Sequence, residues 1–410
     1  MPFSKKSTNL RVPYARSVYD SKEEKAVLRV MRAPGRMAMG PETRKFEERV
    51  AKACGKKYGI MVNSGSSANL LSVELLDLPR GSEVITPILT FSTTVAPLVQ
   101  KGLIPAFTDV EEGTYNINIS QMERLLTKKT KALMIPLFLG NVPNLSAIKI
   151  FAKKHRLFFI EDSCDTLGAT YRGVPSGRFS DITTTSFYGA HIITATSNGG
   201  MLMVNNPEWR DFARVLRGWG RSSALFGESE DIRQRFKARL GKIPYDAKFV
   251  FDKVGYNLLP SEMGAAFGNV QMDRLPVFRK RREHNFKELS KFFKSYEEFF
   301  IRPIQNPEAR TQWISFPLTI RKGAPFTRMD IMSYLEKNNI QTRPVATGNI
   351  LLQPGFRNIV RKTLREGYPV ADEITKRGFV IGVHHGLMRE HLDKMKRVLR
   401  EFLKKYSSYS

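Results

Sequence analysis

Two cysteines, Cys54 and Cys164, are all that this sequence contains. They are too few for a disulfide framework and lack the paired spacing of a zinc site. That scarcity points to a reducing compartment. Long apolar runs are missing as well. The basic stretch from Met1 to Ser17 has no hydrophobic segment behind it, and no run approaches the roughly 18 apolar residues of a membrane span. The expected setting is the cytoplasm, with no membrane contact. Acidic residues are few against basic ones, 39 to 66, for a net charge of +27. Clustered Lys and Arg would favour a nucleic-acid partner. Here the run Arg279-Lys280-Arg281-Arg282 and the scattered Arg389, Lys394, Lys396 and Arg397 fall at helical spacing and read as solvated faces. A nucleic acid is not expected; a basic surface that steers a small anion toward its cleft is compatible with the charge.

What is present is a globular chain of 410 residues with 41% hydrophobic content, enough for one large domain and a smaller one. Short β-rich runs at 58–62, 83–87, 104–109, 132–137 and 157–161 alternate with helical patterns at 66–78, 93–101, 120–126 and 145–155,. Alternation of this kind predicts a mostly parallel sheet covered on both faces, with ligands at the strand carboxyl ends. Two further strands, near 181–186 and 201–205, flank a loop containing His191. Beyond about Gln271 the pattern changes to a long basic helix from Val277 to Phe293, a strand at 313–320, a helix at 328–337 and an amphipathic helix at 390–406. The expected division is a cofactor-type α/β domain over 1–270, including an N-terminal arm, and a small α+β domain over 271–410.

Three motifs sit at expected strand ends. Asn63-Ser64-Gly65-Ser66-Ser67-Ala68-Asn69 opens a helix with small residues and hydroxyls, the makings of a phosphate cup, although a plain N-cap uses the same residues. Glu161-Asp162 ends an apolar strand, where a carboxylate can face a pyridine nitrogen and keep it protonated; a helix cap is the plainer alternative. Thr90-Phe91 follows a third strand, and its ring is placed either to stack on a flat cofactor or to fill core.

In this order and spacing the pieces resemble the DegT/StrS family of pyridoxal-phosphate (PLP) sugar aminotransferases, which have the aspartate aminotransferase fold (type I PLP enzymes). The motifs that carry the likeness are NSGSSAN at Asn63, TF at Thr90, EDSCDTLGA at Glu161, SGRFSDITTTSF at Ser176 and VGYNLLPSEMGAAFGNVQMDRL at Val254. The resemblance implies that Gly65, Ser66 and Ser186 hold the phosphate, that Asp162 faces the pyridine nitrogen with Asp165 and Phe91 also at the cofactor, and that Asn257 reaches the phosphate of a neighbouring subunit. A homodimer with shared sites follows.

The segment Ser186-Phe187-Tyr188-Gly189-Ala190-His191 puts histidine where that family usually has its cofactor lysine. Together with TRPVATGNILLQPGF from Thr342, it is most similar to the family's nucleotide-sugar 3-dehydratases, which remove the carbon-3 hydroxyl of a 4-keto-6-deoxyhexose in deoxysugar biosynthesis. An imidazole forms no Schiff base, so the cofactor is expected to be held non-covalently and to rest as pyridoxamine phosphate (PMP). With an ordinary pKa near 6.5, His191 suits proton transfer. By the same likeness Asn349 and Gln353 touch the sugar nucleotide, and glutamate reloads the amine. One dehydratase branch holds a two-iron cluster on four cysteines. Cys164 matches the first, but the others fall at Ser223, Leu225 and Arg233, which supply no thiolate. No metal is therefore expected, although Trp219 resembles the cluster branch. Thr196-Ser197-Asn198-Gly199-Gly200 departs from the family's usual Gly-Glu-Gly-Gly by an added residue. The alternatives are an aminotransferase, whose lysine would have to be Lys248 or Lys253, and a non-catalytic binding protein. Arg343 is open to a carboxylate, a phosphate or a surface acid, and His384 and His385 have no assigned role.

Overall fold

The computed structural model describes residues 10–406 except 34, 36, 38 and 228. Seven strands form the main sheet: β1 (Tyr58–Val62), β2 (Glu83–Pro87), β3 (Ile104–Thr108), β4 (Thr130–Pro136), β5 (Phe158–Asp162), β6 (Ile182–Ser186) and β7 (Gly200–Val204). Their spatial order is β1-β7-β6-β5-β4-β2-β3. All run the same way except β7, which is antiparallel to both neighbours. The sheet is therefore mostly parallel, as the alternation of patterns predicts.

Period-two alternation sends side chains to opposite faces. Ile60, Val62 and Leu202 pack with Leu71 of α3 (Gly65–Glu74). Met61, Met201 and Met203 pack on the other side with Phe46 and Val50 of α2 (Pro41–Cys54), which follows α1 (Ser21–Arg32). Both faces are thus buried under helices, which include α4 (Ser92–Gln100), α5 (Leu145–His155) and α6 (Pro207–Arg217). The helix expected at 120–126 is instead a pair of 3₁₀ turns, Ile119–Gln121 and Glu123–Leu125.

The long helix α7 runs from Glu262 to Phe293 with Pro276 inside it. Pro276 made the sequence pattern appear to start at Val277; the first turns carry small, buried residues (Gly264, Ala265, Ala266) that show no polar face. The expected boundary between 270 and 271 falls within this helix. A second sheet is built from β8 (Phe300–Ile301), β9 (Ser315–Ile320), β10 (Thr342–Pro344) and β11 (Gly378–Gly382), in the order β8-β9-β11-β10. Helices α8 (Arg328–Lys337), α9 (Pro369–Arg377) and α10 (Arg389–Leu403) accompany it. Among the described residues no helix is long and apolar enough to cross a membrane.

An N-terminal arm crosses between these parts. The Val12 N–H donates to the Asn339 carbonyl at 2.8 Å and the Val12 carbonyl accepts from Gln341 at 2.9 Å. His384 Nε2 donates to the Pro13 carbonyl at 3.1 Å, and Ser17 Oγ donates to the Gly189 carbonyl at 2.8 Å. The arm therefore ties the second sheet to the loop that carries His191.

Candidate active site

The carboxyl ends of β1, β2, β5 and β6 converge on a cavity of about 790 Å³. Parallel strands bring successive loops to one edge of the sheet, which is why motifs far apart in sequence meet there. Gly65 and Ser66 line it at the start of α3, where first-turn amides have no helical acceptor and the helix dipole favours an anion,. Ser64 caps the helix by accepting from the Ser67 N–H at 3.0 Å. Gly65 is required by packing: a Cβ there would lie 2.6 Å from the Cβ of Ser186 and 2.9 Å from Cys164 Sγ. Its absence lets the helix start, Ser186 and Cys164 share one wall.

Asp162, at the end of β5, is buried. Its Oδ2 accepts from Asn69 Nδ2 at 2.9 Å and from Thr94 Oγ1 at 2.8 Å, and its Oδ1 from the Cys164 N–H at 3.1 Å. Asn69 is itself oriented by Thr184 Oγ1, which donates to its Oδ1 at 2.6 Å. These orienting partners were missed by the sequence reading, although Asn69 closes the NSGSSAN motif. Phe91 lines the cavity with 57% of its surface exposed, so its ring is available for stacking rather than spent in core. Asp165 lines the same cavity; burial, reinforced by Asp162, pushes its carboxyl up to about 7, against the N–H of Leu139 that it accepts at 2.9 Å.

His191 lies in a tight turn, its N–H donating to the Tyr188 carbonyl at 2.9 Å. Its Nδ1 is 2.6 Å from the Cys164 carbonyl oxygen. A carbonyl only accepts, so Nδ1 carries the proton and the Nε2 lone pair is left open for a proton. Burial holds the imidazole below its ordinary range, Cys164 opposes that, and the positive charge of Arg282 adds to it. The altered loop that follows contributes Asn198 and Gly199 to the lining. It contains two consecutive non-glycine residues in the left-handed region, Thr196 (φ 56°) and Ser197 (φ 75°), and is pinned by the Ser197 N–H donating to Thr194 Oγ1 at 3.1 Å.

Other expected residues fall differently. Gln353 and Arg343 line the cavity. Asn349 does not. It is buried, its Oδ1 caps a 3₁₀ turn by accepting from Leu351 N–H at 3.0 Å, and its Nδ2 donates to Asp372 at 2.7 Å. Its amide is thus engaged on both sides within the fold. Asn349→Ala is expected to lower stability by about 1–2 kcal/mol in denaturant titration while KM for the substrate stays within about threefold; a tenfold KM rise at unchanged stability would return it to the substrate. Asn257 is exposed, outside this cavity, with its backbone bridged to Gly218. No lysine lines the cavity among the described residues. Lys248 pairs with Glu230, and Lys253 lies 5.6 Å from the Phe212 ring. Arg282, expected on a solvated face, is fully buried.

An anion cup, an oriented carboxylate, an exposed aromatic ring and a neutral base around one cavity fit a pyridoxal-type cofactor, which Gly65, Ser66, Ser186, Phe91 and Asp162 would hold. Comparisons agree. The chain is 37% identical over 91% of its length to a dTDP-4-dehydro-2,6-dideoxy-D-glucose 3-dehydratase of Saccharopolyspora spinosa, 82% of which is covered. It is 30% identical over 96% of its length to a GDP-4-keto-6-deoxy-D-mannose 3-dehydratase of Yersinia pseudotuberculosis, covered to 99%. The structure of the E. coli GDP-4-keto-6-deoxy-D-mannose-3-dehydratase with bound hydrated PLP matches with a TM-score of 0.85 at 28% identity, over 95% of this chain and 99% of that one. A further structure of a GDP-4-keto-6-deoxymannose-3-dehydratase traps PLP with glutamate. The family model for DegT/DnrJ/EryC1/StrS aminotransferases matches residues 18–400, and the chain belongs to that family of PLP-dependent, type I fold proteins.

Proposed function

We propose that this protein is a PLP/PMP-dependent dehydratase that removes the carbon-3 hydroxyl of a nucleotide-linked 4-keto-6-deoxyhexose, in cytoplasmic deoxysugar biosynthesis and without an iron-sulfur cluster. The observation that carries the reading is His191 on the cavity wall, its Nδ1–H committed to the Cys164 carbonyl, in a cavity with no lysine.

When bound, the cofactor supplies an amine for the sugar's keto carbon and a ring that withdraws electrons. The residues do the rest. Gly65, Ser66 and Ser186 would bind the phosphate, and Asp162, oriented by Asn69 and Thr94, would hold the pyridinium end. His191 accepts a proton at Nε2 and, once protonated, can give it to the departing hydroxyl, which leaves as water. The anchors would be non-covalent, and glutamate would be the amine donor, as the PLP-glutamate adduct of a related dehydratase suggests. Gln353 and Arg343, which line the cavity, would face the nucleotide-sugar.

A homodimer is part of this reading. Leu225, Ile232, Phe236, Ile243, Phe249 and Val254 are exposed apolar side chains in the stretch leading to Asn257. So many exposed apolar side chains in one stretch favour a partner surface there, and a second copy covering it would receive Asn257 at its phosphate.

The test is to load the protein with PLP and glutamate, offer GDP-, CDP- and dTDP-linked 4-keto-6-deoxyhexoses without a reductase, and follow the sugar by mass spectrometry. Loss of the carbon-3 oxygen is expected. Formation of an amino sugar, or no change with cofactor bound, would overturn the reading.

A further inference from the structure

Arg282 sits near the middle of α7, only 1% exposed. Taking a guanidinium out of water costs several kcal/mol, and such groups are normally matched by a carboxylate. Among the described residues Arg282 has no acidic partner in hydrogen-bond or ion-pair range. All of its acceptors are neutral: Nε donates to His385 Nδ1 at 3.2 Å, Nη1 to the carbonyls of Trp313 at 3.1 Å and Ile314 at 3.3 Å, and Nη2 to the carbonyl of His191 at 3.3 Å. These acceptors come from three separate pieces of chain: the loop after β11, the entry to β9, and the turn bearing His191. Only a planar fork donates in so many directions at once; a lysine or glutamine does not.

The arrangement fixes His191 from both ends. Its backbone carbonyl is held by Arg282 and its ring by the Cys164 carbonyl. It also accounts for His385, which does not line the cavity. His385 is stacked on Phe278 with centroids 3.8 Å apart, and as Nδ1 accepts from Arg282 it must be neutral there; burial and the guanidinium both push its pKa far down.

We propose that Arg282 is a positioning residue for His191, holding its turn against the second sheet and, through a buried charge that no carboxylate cancels, keeping the imidazole in its proton-accepting form. This rests on His191 being the base. The other groups around the imidazole do not cancel that charge. Asp162 on β5 favours the protonated ring, but less than Arg282 opposes it; Asp165 and Cys164 beside it are driven toward their neutral forms by burial. Tyr188 lies edge-on in the same turn, with ring centroids 5.9 Å apart. Tyr14 from the N-terminal arm is a phenol held neutral by burial, and Arg343 lines the cavity as a second cation.

The deciding readout is independent of turnover. Histidine Cε1 resonances of the full chain are followed by NMR against pH, His191 being assigned by its loss in His191→Ala. In Arg282→Gln the His191 midpoint is expected to rise by about half a pH unit or more, with the acid limb of kcat/KM moving alongside it. In Arg282→Lys the midpoint should stay near the parent while kcat falls about tenfold and KM holds. His385→Glu gives the guanidinium a carboxylate and should raise the midpoint as Arg282→Gln does, so the idea stays testable if the glutamine variant does not fold. An unmoved midpoint in a folded Arg282→Gln or His385→Glu protein overturns it. If the midpoint moves but the acid limb does not, the assignment of His191 as the base is what fails.

Discussion

His191→Asn is expected to lower the dehydration rate by about 10²–10⁴-fold, the range for removing a general acid-base group, while PLP binding changes little. Asparagine keeps a side-chain N–H for the Cys164 carbonyl but offers no lone pair basic enough to take a proton. The turn, held through the His191 backbone by Arg282 and Tyr188, should survive the change. Equilibrium binding of PLP by absorbance and single-turnover mass spectrometry of the sugar separate the two effects. If the rate falls less than tenfold, another group in the cavity carries the proton, and Asp165, with a carboxyl near 7, is the first alternative. The pH dependence has a definite sign. The imidazole is active when neutral, and burial holds it below its ordinary value, so activity is lost as pH falls through that lowered value and persists on the alkaline side.

Glu262→Ala is expected to destabilise the fold by about 3–5 kcal/mol, the scale of removing a buried charged partner. The Glu262 carboxylate, at the first turn of α7, is 3% exposed. It accepts from Gly40 N–H at 2.8 Å, Glu42 N–H at 2.6 Å, Thr43 N–H at 3.1 Å and Thr43 Oγ1 at 2.6 Å. One anion thus satisfies the orphan amides of α2 while lying at the positive end of α7. Bonds to a charged acceptor are among the stronger ones, and stranded buried donors cost more than the lost attraction. Gly40 belongs to the same device: a Cβ on it would meet Glu262 Oε1 at 2.5 Å. Glu262→Gln, which keeps the shape and loses the charge, should cost about half as much. Urea titration of the three proteins decides; a loss below about 1 kcal/mol for the alanine variant would mean that water takes over the amides.

The sheet was legible because its strands are short, apolar and bounded by turn residues, and because parallel strands are buried on both faces. Leu145–His155 and Arg328–Lys337 show a helical period and were found to the residue. Other helices were not, although two of them are more strongly amphipathic. Pro41–Cys54 and Pro207–Arg217 carry a proline at their first position, which is a start signal as well as a break, and α7 hides its buried first turns among small residues. At the site, the lining side chains were legible through motifs because each follows a strand. What the sequence could not convey was who holds whom: that Asn69 and Thr94 orient Asp162, that a backbone carbonyl sets the tautomer of His191, or that one arginine in a basic run points inward. Those facts depend on distances between segments 27 to 103 residues apart, and no spacing within a motif encodes them. Asn349 shows the converse, a polar residue in a matching motif whose amide is occupied by the fold itself.

The arm from Val12 to Ser17 is made early and used last. Its partners lie at Asn339, Gln341 and His384 on one side and at Gly189 on the other. A chain emerging from the ribosome from its N-terminus must carry the Val12–Tyr14 part of this strip unpaired until more than three hundred further residues have followed it. Pairings at such separation are closed late and slowly. The first sheet can form while translation continues, but the wall of the cavity that includes Tyr14 is completed only once Gln341 has been made, so the enzyme is inactive through most of its own synthesis.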